Sequence, residues 1–96
     1  MTTLDDRIRP RYQVVDTKLD EGEIVLLHLD SKTYYTLNLT GERIWQGLKE
    51  GLSLKEISRR LQGEFDVNEE NADTAVLDLV NELSAQNLVQ AESGSL

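Results

Sequence analysis

Residues 26–45, LLHLDSKTYYTLNLTGERIW, constrain the fold of this chain more than any other stretch, because two strand-like runs flank a turn and the second passes directly into a capped helix. Asp30, Ser31 and Lys32 supply the turn, and Thr33, Tyr34, Tyr35, Thr36 and Leu37 have the β-branched and aromatic content of a strand. The helix signal follows at once. Thr40 serves as an N-cap, Ile44, Trp45 and Leu48 form an apolar stripe, and Gly51 stops the helix. A hairpin that ends in a helix leaves a free sheet edge beside that helix, and such an edge can capture an extended peptide through main-chain hydrogen bonds.

The remaining elements fall into place around this unit. Residues 12–18 alternate moderately and end in a polar turn at 18–22, which predicts a first strand and a hairpin. Residues 23–29, EIVLLHL, form a nearly continuous apolar run, short for a helix and bounded by Gly22 and Asp30, which favours a central strand with Ile24, Leu26 and His28 on one face and Val25, Leu27 and Leu29 on the other. Three antiparallel strands in sequence order result. Ser53 and Glu56 form a capping box for a second helix carrying Leu54, Ile57, Leu61 and Phe65. Asn68 caps a third and longest helix, running to about Gln86, whose core stripe is Ala72, Val76, Leu79 and Leu83, flanked by Ala75 and Val80. Asn87 closes it in a left-handed conformation, and Leu88 and Val89 pack back on the sheet. The expected class is α+β, a winged-helix-like domain with a three-stranded antiparallel sheet followed by three helices. Residues 1–11 read as a flexible N-terminal arm, 12–90 as the domain and 91–96 as a flexible tail.

Ninety-six residues suit one domain with a small core. Cysteine is absent, which excludes disulfides, thiolate metal sites and a Cys nucleophile, and fits a reduced compartment; the expected location is the cytoplasm. No run approaches the roughly 20 apolar residues that cross a bilayer. Eighteen acidic against ten basic side chains give a formal charge of −8, which argues against nucleic acid and anionic membranes. The charge is uneven: Arg7, Arg9 and Arg11 cluster near the start, whereas residues 64–82 hold seven carboxylates and no Lys or Arg.

Little in the chain speaks for chemistry. His28 is the single histidine, and one imidazole without a positioned nucleophile or a second ligand makes neither a triad nor a metal site. Glu69, Glu70 and Asp73 sit at a helix start, where the dipole already accounts for them. The six glycines never group after a strand to cradle phosphate. No catalytic residue, metal or cofactor is expected. Tyr34 and Tyr35 must lie on opposite faces of their strand; Tyr35, in phase with Leu37, faces the core, and Tyr34 and Thr36 face outward. On the third helix, Leu77 lies outside the core stripe beside Asp73, Val80 and Ser84, which marks a second contact flank.

LNLTGERIW at the strand–helix joint, EISRRL in the second helix and DLVNELSAQNLV at the end, set in three strands and three helices, resemble the family of coenzyme PQQ synthesis protein D over residues 12–89. The resemblance implies a non-catalytic recognition element for ribosomally made precursor peptides. It would bind the leader of the precursor as an added strand between the third strand and the third helix. It would then present the core segment to a modifying enzyme such as a radical SAM protein or a leader peptidase. Carried onto this chain, the docking edge is Thr33, Tyr34, Tyr35, Thr36 and Leu37, with helix contacts from Asp73, Leu77 and Val80. The chain departs from the PQQ protein itself, in which a Tyr-Pro-rich turn is expected after the central strand; LHLDSKTYYTLN looks more like the discrete relatives of lasso-peptide pathways.

Two other functions compete. A winged helix can serve a DNA-binding regulator, but the third helix has no basic residue, and the helices gather positive charge only at Lys55, Arg59 and Arg60. An uncovered strand edge can also pair with its own copy, making a homodimeric scaffold.

Overall fold

In the computed structural model, which describes residues 2–19 and 22–91, the strands are β1 (Ile8–Pro10), β2 (Val14–Lys18), β3 (Ile24–His28), β4 (Tyr34–Leu37) and β5 (Val89–Ala91). The helices are α1 (Leu39–Lys49), α2 (Leu54–Glu64) and α3 (Glu69–Ala85), between β4 and β5. The middle of the expected turn at 18–22 and the expected tail beyond Ala91 lie outside the described residues. β2, β3 and β4 form an antiparallel sheet in that order, and the three helices follow it, giving the α+β, winged-helix-like arrangement read from the sequence.

Register sorts the sheet into two faces. Leu26 stands opposite Asp16 and Tyr35, and Ile24 opposite Lys18 and Leu37, so these side chains share the face toward the helices. There Ile24, Leu26 and Leu37 are buried against Ile44, Trp45 and Leu48 of α1, and the core continues through Leu54, Ile57 and Leu61 of α2 to Ala72, Val76, Val80 and Leu83 of α3. The buried stripe of α3 therefore runs through Val80, and Leu79, expected in it, is only partly buried and stands to one side.

The caps show why each helix starts where it does. Asn38, not Thr40, caps α1: its Oδ1 accepts from the Gly41 N–H at 2.9 Å, so the helix begins earlier than the sequence reading placed it. The capping box of Ser53 and Glu56 is present in both directions at α2, and Asn68 Oδ1 accepts from the Asn71 N–H at α3. Gly51 follows α1 at φ +83°, and Asn87 follows α3 at φ 59°, both left-handed as expected.

The N-terminal segment departs from expectation. Where a flexible arm was read over 1–11, Ile8–Pro10 is a strand paired antiparallel with β5, Ile8 is buried, and Leu4 packs against the core. The amides of Leu54 and Lys55, which have no partner within the first turn of α2, donate to the carbonyls of Asp6 and Leu4 at 3.0 and 2.8 Å. The segment thus satisfies orphan donors at a helix start, a role that needs no side-chain pattern. Val89 accordingly joins β1 rather than the three-stranded sheet.

Candidate functional site

β4 is an edge strand, paired on one side with β3 only. The His28 N–H donates to the Thr33 carbonyl at 3.0 Å, which makes 28 and 33 a hydrogen-bonded pair. By the alternation of an antiparallel ladder, Tyr35 and Leu37 also bond inward to β3, while the N–H and C=O groups of Tyr34 and Thr36 point away from it. Four main-chain groups are therefore free on this edge.

A groove of about 280 Å³ lies beside them. β4 contributes Tyr35, Thr36 and Leu37; the start of α1 contributes Asn38, Thr40, Gly41 and Ile44; α3 contributes Ala75, Leu79 and Glu82. The joint is tight because residue 41 is glycine: a Cβ there would meet two Leu37 side-chain atoms at 3.1 Å, inside ordinary contact distance. This explains the Leu-Asn-Leu-Thr-Gly phrase physically. The Asn caps the helix, and the Gly lets that helix press against the strand it follows.

The groove floor is apolar, from Ile44 and Leu79, and one end is polar. There the Tyr35 hydroxyl donates to Glu82 Oε1 at 2.7 Å, bridging β4 and α3. That hydrogen bond, with burial and the carboxylate charge adding to it, pushes the Tyr35 phenol up to about 12. Tyr34 is 69% exposed on the opposite face of the sheet, as its phase demands.

The helix contacts read from the sequence fall elsewhere. Asp73 accepts from the buried Ser58 hydroxyl and lies 3.6 Å from Lys55 Nζ, on the seam between α2 and α3. Leu77 packs partly against the core, and Val80 is fully buried, lining a separate cavity with Ile8 and Val89. None of the three lines the β4 groove. The residues that do, Ala75, Leu79 and Glu82, follow i, i+4, i+7 spacing on the other side of the buried stripe. A helical projection identifies both flanks but carries no information about which one faces β4. Of the five strand residues, Tyr35, Thr36 and Leu37 line the groove, whereas Thr33 lies just before β4 and Tyr34 projects from the opposite face, both outside the groove lining.

His28 serves the β3–β4 turn: its Nδ1 accepts from the Asp30 and Ser31 amides at 3.2 and 3.3 Å. Among the described residues no group of His, Cys, Asp or Glu is placed to hold a metal ion, and no helix is long and apolar enough to cross a membrane. The basic residues of α2 are largely paired, Arg60 bidentately with Glu50 at 2.9 Å and Lys55 with Glu69 at 3.0 Å. The site is thus a strand edge with an adjoining groove, suited to binding an extended chain.

Comparison with known proteins agrees with this geometry. The family model for coenzyme PQQ synthesis protein D matches residues 23–89, from the start of β3 into β5. Among solved structures, the chain is similar to TbiB1 in complex with the TbiA(beta) leader peptide, at 31% identity and a TM-score of 0.79 over 92% of this chain and 98% of that one. It is also similar to lasso peptide synthetase B1 complexed with the leader peptide, at 29% identity and a TM-score of 0.79 over 86% and 96% of the two chains. No curated protein matches.

Proposed function

Because the chain belongs to the family of coenzyme PQQ synthesis protein D, we propose that it recognises the leader of a ribosomally made precursor peptide. The leader is held as an added strand on β4, and the remainder is presented to a modifying enzyme. The observation that carries this reading is the pairing of four free main-chain groups at Tyr34 and Thr36 with an apolar-floored groove against α3. The two similar structures support it, both being B1-type proteins with leader peptide bound. The protein itself carries out no chemistry in this scheme. Its partner is a separate enzyme, a leader peptidase in a lasso-type pathway or a radical SAM protein in a PQQ-type one. The likeness to lasso peptide synthetase B1 favours the former.

Magnitudes decide what the groove must do. Four main-chain hydrogen bonds at about 0.5 to 1.5 kcal/mol net each offset only part of an association cost of about 4 to 15 kcal/mol over most of that range. Apolar side chains of the leader must supply the balance by burial over Ile44 and Leu79. An isotope-edited NMR titration with the leader segment of a precursor encoded beside this gene tests the reading. Saturable shifts at Tyr34, Thr36, Ala75 and Leu79 are expected. Shifts confined to the β2 edge or to the outer sheet face would sink strand addition on β4. A dimer formed through the β4 edge would compete with the leader, so affinity is to be measured at concentrations where the protein is monomeric.

A further inference from the structure

Of the residues that line the β4 groove, Glu82 alone carries a charge. Its Oε1 accepts from the Tyr35 hydroxyl at 2.7 Å, one hydrogen bond for a carboxylate with about four acceptor sites. The side chain is exposed, and among the described residues it takes part in none of the ion pairs. Other carboxylates of the helices are matched, Glu64 with Arg43, Glu50 with Arg60 and Glu69 with Lys55. Glu82 is thus a negative charge held in place by Tyr35 at the end of an apolar floor, with no Lys or Arg in ion-pair reach among the described residues.

Helix stability does not explain a carboxylate at this position. Glu82 begins the last turn of α3, where the negative end of the helix dipole disfavours acids and favours Lys or Arg, and that turn holds no basic residue. Glu69 and Glu70, in the first turn, sit at the end where acids are welcome. The dipole adds its field to that of Glu82, so both draw a cation to the same end of the groove.

We propose that Glu82 is a specificity-determining residue of the leader-binding surface, pairing with one Lys or Arg side chain of the peptide that adds to β4. The inference rests on the strand-addition reading above. Residues directly opposite one another on neighbouring strands share a face. The leader residue beside Tyr35 therefore points inward to Glu82, and the one beside Leu37 points inward to the floor of Ile44 and Leu79. These two leader residues are two positions apart, because a strand repeats its face at every second residue. A long apolar stem with a charged head suits the first of them, since its methylene groups cover the floor while the head reaches the carboxylate. A leader for this protein thus carries a basic residue two positions from a large apolar one.

The test needs no knowledge of the natural precursor. A displayed library of random peptides about twelve residues long, enough to span the groove in extended form, is selected on the intact protein, and docking on the β4 edge is checked by loss of binding in Thr36→Pro. The expected consensus holds Lys or Arg two positions from a large apolar residue. Glu82→Gln keeps an oxygen for the Tyr35 hydroxyl and weakens the best binder about threefold, and Glu82→Lys weakens it about tenfold. A peptide with Glu in place of its basic residue regains affinity for Glu82→Lys. Asp5→Lys, an equal change of net charge at an exposed residue outside the groove, has little effect. Melting curves check that each variant folds. A consensus without a basic residue at that spacing, or equal losses in Glu82→Lys and Asp5→Lys, overturns the pairing and leaves strand addition standing. Binders indifferent to Thr36→Pro, or failure to enrich any peptide, overturn both.

Discussion

The sheet has two open edges, and they are built for different ends. On β2 the Leu29 N–H donates to the Gln13 carbonyl at 2.9 Å, so the alternation leaves the main-chain groups of Asp16 and Lys18 pointing outward. On β4 the corresponding residues are Tyr34 and Thr36. As templates for another strand the two edges are equivalent. What differs is the ground beneath them. Under β2, Asp16 accepts from Trp45 Nε1 at 2.7 Å and from Lys49 Nζ at 2.9 Å, and Lys18 lies 4.0 Å from the buried Glu42, so charged groups tie the strand to α1. Beside β4 lies a groove of mixed lining, in which Ile44, Ala75 and Leu79 supply apolar surface and the Tyr35–Glu82 hydrogen bond crosses one end. Free main-chain groups alone do not make a recognition edge, because four hydrogen bonds offset only part of the cost of association over most of its range. The side-chain groove makes the difference.

The largest effect is expected on the β2 side and on stability. Trp45 is fully buried and also holds Asp16, so Trp45→Ala removes about 3 to 5 kcal/mol, read by chemical denaturation. A loss below about 1 kcal/mol would mean that the α1–β2 tie contributes little. Proline then separates the edges. Thr36→Pro removes an outward N–H that β3 does not use and places a ring where an added strand would sit, so leader affinity falls about tenfold or more at modest cost to the fold. Lys18→Pro makes the same change on β2 and leaves affinity unaltered. Equal losses from both would erase the distinction drawn here. Leu79→Ala, on the groove floor, is expected to weaken binding by about 1 kcal/mol, roughly fivefold, by calorimetry.

The sequence carried most of this asymmetry, but not its last step. Strand phase alone separated Tyr34 from Tyr35, and the Leu37-Asn38-Leu39-Thr40-Gly41 joint marked where the edge strand passes into the helix, because period-two alternation and local turn chemistry act over a few residues. The flank of the third helix was different in kind. The projection put Leu79 in the core stripe and Leu77 on a contact flank, whereas in the fold Leu79 lines the β4 groove and Leu77 does not, because the way the helix is laid against β4 decides which residues face it. Likewise Ile8–Pro10 gave no sign of being a strand, since three residues show no period and their partner lies at the far end of the chain. Non-local pairing leaves its mark on Ile8 and Val89 only once the fold is known.

The smallest effect probes the two ties by acidity, and the signs run in opposite directions. Burial raises the Asp16 carboxyl, but the Trp45 and Lys49 hydrogen bonds outweigh it and leave the group below its ordinary 3.8. A depressed acid stabilises the fold above its unfolded value, so the β2 tie holds at neutral pH and fades as pH falls below 3.8. Tyr35 is raised from 10.0 to about 12, chiefly by its hydrogen bond to Glu82. Its contribution is complete below 10.0 and is lost as pH climbs through about 12, when the phenolate can no longer donate and repels the carboxylate. Melting curves taken below pH 3.8 should therefore depend less on pH in Trp45→Phe, where Lys49 still holds Asp16 and the depressed Glu50 and Glu56 remain, than in Tyr35→Phe. Tyrosinate absorbance in alkali should lose a component titrating at about 12 in Tyr35→Phe. If Tyr35→Phe instead removes an ordinary tyrosine titration, the bond between β4 and α3 is not closed in solution. The groove would then stand open along its whole length before any peptide arrives.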